Sequence, residues 1–263
     1  MIRAMGTAAS GMKAQQMNID TIANNLANVN TTGYKKSHPE FQDLLYEKVM
    51  PGGQIDSEGR ANPSRVEIGH GVKLVATNKN FGQGTVVSTN NPLDLMVEGD
   101  GFFQVSMPDG SIKYSRDGSF KLDADRSIVT SAGYRLEPEI TVPEDAAELS
   151  ISRDGIVSVQ VFGDESSVQE IGQMELARFP NAAGLASLGG NVFAESPASG
   201  TPILGNPGLD GMGVTTSGFL EMSNVETVDE LVNMISAQRA YELNSKTITM
   251  ADEMLQTVNR LKR

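Results

Sequence analysis

A chain of 263 residues is long enough to bury a sizeable core and to hold one to three domains. It has no Cys, no Trp and two His, which excludes disulfides and thiolate metal sites and leaves a His-dependent active site little to draw on. The formal net charge of −12 argues against duplex nucleic acid as a partner, and no run approaches the ~18 apolar residues that span a bilayer.

The charge is uneven. Residues 1–46 sum to +1 and residues 225–263 to −1, so residues 47–224 carry the whole −12. Near-neutral ends suit dense packing against copies of themselves, and an acidic centre suits a hydrated surface. Residues 1–30 lack a continuous apolar core and a cleavage site, so no cleavable signal peptide is expected.

They form an amphipathic helix instead. Met5, Met12, Ile19 and Leu26 recur every seven residues, and Ala8, Gln15, Ile22 and Val29 follow three behind each. The spacing holds for about four heptads. Its interior is weak, with small residues, Met and Gln in place of a Leu/Ile seam. Gly6 and Gly11 each cost roughly 1 kcal/mol of helix propensity relative to Ala. The turn formers in Asn28-Val-Asn-Thr-Thr-Gly33 end the helix. Residues 33–71 then read as a linker with one short apolar patch at 41–46. From residue 50 onward this linker is rich in Gly, Pro and polar residues and has no helical period.

Residues 72–224 read as a β domain, barrel or sandwich-like. Runs at 93–97 and 102–107 flank Glu98-Gly-Asp-Gly101, and Pro108-Asp-Gly110 leads to 112–114. Arg116-Asp-Gly118 leads to 120–122, with further runs at 128–130, 134–136, 149–151, 156–162 and 174–179. Asp-Gly pairs between alternating runs are hairpin signals. Residues 181–218 return to Gly, Pro, Ser and Asn, and read as loop.

Residues 225–263 contain no Gly or Pro and form the second helix. Met234, Tyr241, Ile248 and Leu255 repeat every seven, with Ala237, Asn244, Ala251 and Val258 three residues on. A further stripe runs through Ala240, Leu243, Thr247, Met250, Met254 and Leu261. At about 100° per residue the rows merge into a face covering nearly half the helix, broad enough for more than one partner. On the heptads alone, two readings stand: helices packing on their own β domain, or a polymerisation surface.

No chemistry stands out. His38 and His70 fall in segments read as loops. Asp123-Ala-Asp125 lacks the Gly and the twelfth-position Glu of a calcium loop. Gly69-His-Gly71 and Phe81-Gly-Gln-Gly84 lack the Lys-Ser/Thr or the spacing of a phosphate cradle. Arg116-Asp-Gly118 and Arg153-Asp-Gly155 read as hairpin turns. The expectation is no catalytic, cofactor or metal residue, and no small-molecule substrate.

The two ends carry a family likeness. Ala9-Ser-Gly-Met12, Gln16-Met-Asn-Ile-Asp20, Ile22-Ala-Asn-Asn-Leu-Ala-Asn-Val-Asn30 and Thr32-Gly-Tyr-Lys35 resemble the N-terminal signature of bacterial flagellar rod and hook axial proteins. Ser223-Asn-Val225, Glu230-Leu-Val-Asn-Met234, Gln238-Arg-Ala-Tyr-Glu242 and Asn244-Ser-Lys246 resemble their C-terminal one. Within the family the chain is most similar to the distal-rod members. That likeness rests on Glu40-Phe-Gln-Asp-Leu-Leu-Tyr46, Ile68-Gly-His-Gly-Val72, Val75-Ala-Thr77, Glu98-Gly-Asp-Gly-Phe-Phe-Gln-Val105 and Tyr114-Ser-Arg-Asp-Gly-Ser-Phe120. It departs at Met5-Gly6, where members usually carry an apolar residue followed by an aromatic.

The resemblance implies a non-enzymatic subunit with an α+β, multi-layer fold. Terminal helices (1–32 and 225–263) pair as a coiled-coil layer, residues 33–71 form an intermediate layer with an extended Gly/Pro stretch, and the β domain faces outward. The polymerisation surface would hold Met5, Met12, Ile19, Ile22, Leu26 and Val29 with Met234, Tyr241, Ile248, Ala251, Leu255 and Val258. Residues 49–66, including Val49, Pro51, Gly52, Gly53, Ile55, Pro63 and Val66, match a stretch that distal-rod members have and the bendable hook lacks, so they are expected to give rigidity. Implied partners are further copies, the proximal rod and hook, the ring bushing proteins and the flagellar type III export apparatus. The implied place is the basal body, where a tube crosses the periplasm as a drive shaft. A hook or proximal-rod protein is the nearest alternative, and a secreted β-domain binding module a more remote one.

Overall fold

The computed structural model describes residues 2–50, 65–162 and 168–261. They fall into two compact units. The first comprises the described parts of residues 1–26, 37–78 and 227–263; the second comprises those of 27–36 and 79–226.

In the first unit, helix α1 (Ile2–Ala27) and helix α2 (Thr227–Leu261) are the long elements, with 26 and 35 residues. Asp229 and Glu230 in the first turn of α2 and Arg260 in its last complement the helix dipole. Neither helix is long and apolar enough to cross a membrane. Four strands complete this part of the chain: β1 (Ser37–Asp43), β2 (Tyr46–Met50), β3 (Val66–Gly69) and β4 (Val72–Lys79). β1 pairs with β4, and β2 pairs antiparallel with β3. The stretch read as linker therefore contains strands wherever it is described. β1, Ser-His-Pro-Glu-Phe-Gln-Asp, buries only Pro39 fully, so it carries no alternating signal for a sequence reading to find.

The second unit is built from short strands. They are β5 (Val86–Ser88), β6 (Leu95–Glu98), β7 (Phe102–Ser106), β8 (Ile112–Ser115), β9 (Phe120–Leu122), β10 (Ile128–Thr130) and β11 (Arg135–Glu137). β12 (Ala146–Ile151), β13 (Ile156–Val161), β14 (Val168–Gln173) and β15 (Leu176–Arg178) follow. β16 (Ala186–Gly189), β17 (Val192–Ala194), β18 (Ile203–Gly205), β19 (Val214–Ser217) and β20 (Phe219–Glu221) close the series. The largest sheet runs β16-β17-β8-β7-β11-β10-β9, with β15 joining β7 and β18 joining β15. β12, β13 and β14 form a second sheet.

The centre of the fold is β7. Successive strand residues point to opposite faces, and both faces of this strand are covered. Phe103 enters a cluster with Leu95, Phe120, Ile128, Leu136, Val157 and Leu176, meeting Phe120 edge-on at 5.1 Å. Phe102 enters a second cluster with Tyr114, Phe179 and Phe193. The β runs expected between residues 93 and 179 are present, most within two residues of the expected ends. Residues 181–218, read as loop, hold β16 to β19. These strands have three or four residues each and are fixed by pairing with neighbours, as in Val192 opposite Ser115, and not by a hydrophobic period of their own.

Candidate assembly surface and buried ion cluster

Two contacts bring α1 and α2 together. Gly11 faces Asn244, and a Cβ on Gly11 would sit 3.0 Å from Asn244 Nδ2. Asn25 Nδ2 donates to Glu230 Oε2 at 3.4 Å. Fourteen residues up α1 correspond to fourteen residues down α2, so the helices run antiparallel between these points. The buried apolar residues are mostly small: Ala8 and Ala14 on α1 and Ala237 and Ala251 on α2, with the larger Ile22 on α1 also buried. Gly11 is thus more than a helix penalty, because its missing side chain admits Asn244. Gly6 has no neighbour that a Cβ would meet.

Asn25 also fixes where the chain goes next. Its amide donates to the Ser37 carbonyl and accepts from the Ser37 N–H, both at 2.9 Å, which fastens the start of β1 to the end of α1. Ser10 Oγ accepts from the Val72 N–H at 3.3 Å, with Gly71 too close to Ser10 to carry a Cβ. On the surface Arg3 pairs with Glu47 at 2.9 Å, and His70 lies 3.7 Å from the same carboxylate.

Of the twelve residues expected on a polymerisation surface, the structure buries Ile22 and Ala251 and half-buries Met5, Met12, Ile19, Leu26, Met234, Ile248 and Leu255. Val29 is half-buried in the turn after α1, and Tyr241 and Val258 are exposed. The heptad rows of α2 therefore hold its buried alanines, Ala237 and Ala251, and most of its half-buried residues, while Tyr241 and Val258 of the same rows are exposed. The opposite side is mixed, with Arg239, Lys246, Glu253 and Thr257 set among large apolar residues. Val228, Val232, Ile235, Leu243, Met250 and Leu261 lie within roughly 80° of one another at 100° per residue, centred almost opposite Ala237. Leu243 is 66% exposed, Val228 67% and Leu261 82%. On this outer side the spacing is eleven, not seven: Val232, Leu243 and Met254 form one row, and Val228, Arg239, Met250 and Leu261 another. An eleven-residue repeat drifts in the opposite sense to a heptad. By sequence Leu243, Met250, Met254 and Leu261 merge with the heptad rows into one face, whereas the structure leaves these four exposed. The extension of this exposed side to Val228, Val232 and Ile235 went unread because the heptads drew the period.

Of the segment expected to give rigidity, Val49 lies on β2 and Val66 on β3, both exposed. Pro51, Gly52, Gly53, Ile55 and Pro63 lie outside the described residues. Met50 is opposite Val66 in the β2–β3 ladder, so the two ends of the segment are held side by side.

The second unit contains a feature that no sequence motif announced. Lys35 Nζ donates to Glu221 Oε1 at 2.6 Å and to the Gly82 carbonyl at 2.8 Å, with its side chain wholly buried. Glu221 Oε1 also accepts from the Gly84 N–H at 2.9 Å. Glu221 Oε2 makes no hydrogen bond but lies 3.5 Å from Arg116 Nε. Arg116 is in turn held by the carbonyls of Gly101 (2.5 Å) and Gly99 (2.6 Å). Burial draws both Lys35 and Arg116 below their ordinary values, opposed in each case by the Glu221 carboxylate. Around the charges the backbone interlocks. The Gly33 N–H donates to the Glu221 carbonyl at 2.8 Å, and the Lys36 N–H to Asn224 Oδ1 at 2.8 Å. Asn224 Nδ2 reaches the Asn80 and Gly82 carbonyls. Arg116-Asp-Gly118, expected as a hairpin turn, instead joins β8 to β9, which do not pair with each other, and its arginine is a buried structural cation. Phe81-Gly-Gln-Gly84 cradles a carboxylate of the chain itself. Among the described residues no group of acidic or His side chains is placed to hold a metal ion.

Three family profiles match. Residues 5–35 match "Flagella basal body rod protein", residues 96–159 the "Flagellar hook protein FlgE/F/G D1 domain" and residues 216–261 "Flagellar basal body rod FlgEFG protein C-terminal". Each matched segment supplies one member of the ion cluster: Lys35, Arg116 and Glu221 respectively. Among whole proteins, the chain is 50% identical to the flagellar basal-body rod protein FlgG of Borreliella burgdorferi over the full length of both chains. It is 43% identical to FlgG of Caulobacter vibrioides, over 99% of this chain and all of the relative, and 39% identical to FlgG of Bacillus subtilis over the whole of both. The chain belongs to the flagellar rod and hook family, with FlgG basal-body rod proteins as its full-length relatives, a family of structural and not catalytic subunits.

Proposed function

We propose that this chain is a distal-rod subunit that assembles with copies of itself into a rigid helical tube, and that the tube carries torque from the motor to the hook. The observation that carries this reading is that α2 has two unlike sides, one holding its buried heptad residues and the other exposing large apolar residues between charged ones. The heptad side suits a coiled-coil partnership with α1, and the eleven-residue side is left for neighbouring copies. Because one helix offers two unlike faces, contacts between copies join different surfaces and grow an open helix instead of closing a dimer. Val29, Tyr241 and Val258, at the edges of the paired surface, belong to the same interface.

The residue 49–66 segment, whose ends Val49 and Val66 lie on the paired strands β2 and β3, bridges adjacent copies and stiffens the shaft. The proximal rod and the hook are the axial neighbours at either end. The ring bushing proteins surround the shaft where it crosses the periplasm, and the flagellar type III apparatus exports the subunits to the growing tip. The test is negative-stain microscopy of three preparations at matched concentration. The full chain should form straight rods, a chain cut back to residues 27–226 should form none, and a chain lacking residues 49–66 should form bendable ones. Rods from the cut-back chain would refute assembly through the helices, and a deletion polymer of unchanged stiffness would refute the role of the segment.

A further inference from the structure

Lys35 and Glu221 are 186 residues apart in sequence and meet at 2.6 Å. One lies on the connector that follows α1, the other on the strand that precedes α2. The segments they hold have little apolar area to keep them in place. β20 pairs only with β5, apart from the two larger sheets, and Val86 and Val87 of β5 are both exposed. Phe219, Leu220 and Met222 are only half-buried. By contrast Phe103, Val157 and Leu176, in the core cluster, are completely buried, and of the three charges Arg116 lies on the core side, 5.7 Å from the Phe102 ring. A region held by polar contacts beside a core held by packing is the arrangement in which one part opens while the other stays folded.

The charges are also unequal. Two cations, Lys35 and Arg116, share one carboxylate. Arg116 is anchored to the core side by the Gly99 and Gly101 carbonyls. Without Glu221, two buried cations would face each other with only Asp100, acting on Arg116, to offset them; without Lys35, a Glu221–Arg116 pair remains.

We propose that Lys35, Glu221 and Arg116 form a two-ended lock. It closes when residues 27–36 and 219–226 have both reached the β unit, and it opens without unfolding that unit's core. The lock makes ordering of the connectors to both helices conditional on the whole chain being present. A subunit with only one end delivered would keep its connectors loose.

The test is hydrogen exchange on the full-length chain with Glu221→Gln, Lys35→Met and the double variant. In Glu221→Gln, amides in residues 27–36, 82–88 and 219–226 should exchange at least about tenfold faster, while those in 102–106 and 156–161 keep their protection. Lys35→Met should be milder. The double variant should recover part of the loss, because it removes the second cation. Core and connector amides speeding up together, no change in either, or a double variant no better than Glu221→Gln would each overturn the lock. A second readout rests on the assembly reading above: Glu221→Gln should slow rod growth at least about tenfold. If the unaltered chain forms no rods, that reading fails, and exchange alone still decides the lock.

Discussion

Lys35 is a lysine without water, and the cost of that placement sets its pH behaviour. Burial lowers its folded value below the ordinary 10.5, with the Glu221 carboxylate resisting the change. The folded chain therefore binds this proton less tightly than the unfolded chain, and the linkage sign follows. From the lowered folded value up to 10.5, the Lys35 contribution should make the fold more stable as pH rises, and above 10.5 it should level off. Urea unfolding of the unaltered chain and Lys35→Met across alkaline pH isolates this term. The unaltered chain should gain on the variant as pH rises through that window; a loss would show that the carboxylate, not burial, governs the lysine. None of this was legible from the sequence. Lys35 stood in a recognisable run, Thr32-Gly-Tyr-Lys35, but nothing in local spacing links it to Arg116 or Glu221. Arg116 announced a turn and gave no sign that its side chain turns inward. Gly33 is a partly similar case: its φ of 65° belongs to the turn after α1, but the 2.6 Å approach of a Cβ to the Asp117 nitrogen comes from a distant segment.

At the scale of the element, α2 separates what periodicity reveals from what it hides. The heptads placed Met234, Ile248 and Leu255 on one row and Ala237 and Ala251 on its companion, and the structure buries or half-buries all five. The outer row has an eleven-residue spacing interrupted by Arg239 and Lys246, so a search for sevens passes over it. The distinction leads to different mutants. Leu243→Glu with Met254→Glu places charge on two exposed positions, so circular dichroism and melting should be little altered while rod formation is lost. Ala237→Leu overfills the inward side and should cost about 1–3 kcal/mol of stability. If the outer pair leaves assembly intact, the outer stripe is not the contact between copies. The strands divide along the same physical line. Those expected from alternation and Asp-Gly turns, such as β9 and β10, appear where expected. β1, β5 and β16 were missed because their residues are largely exposed, and no buried face imposes a period on them.

At the scale of the molecule, the chain sorts its duties by position. The acidic middle folds around Phe102 and Phe103 with both sheet faces covered, as a hydrated body should. The near-neutral ends keep a long helix whose outer side exposes large apolar residues in the single chain. The two chain crossings, at residues 27–36 and 219–226, run together through Gly33 to Glu221 and Lys36 to Asn224. Composition and patterning made the two terminal helices and the β-rich centre readable, but the stretches read as linker and loop hold β1 to β3 and β16 to β19. The ion cluster that fastens the crossings was not readable, since it depends on three side chains brought together by the fold. The central claim is that the outer side of α2 joins copies into a tube. The measurement that tests it most directly is a helical reconstruction by electron cryomicroscopy of rods grown from the purified chain. The account predicts Val232, Leu243 and Met254 buried against helices of a neighbouring copy in the innermost layer. Rods held only by contacts between β units, with that row facing water, would contradict it.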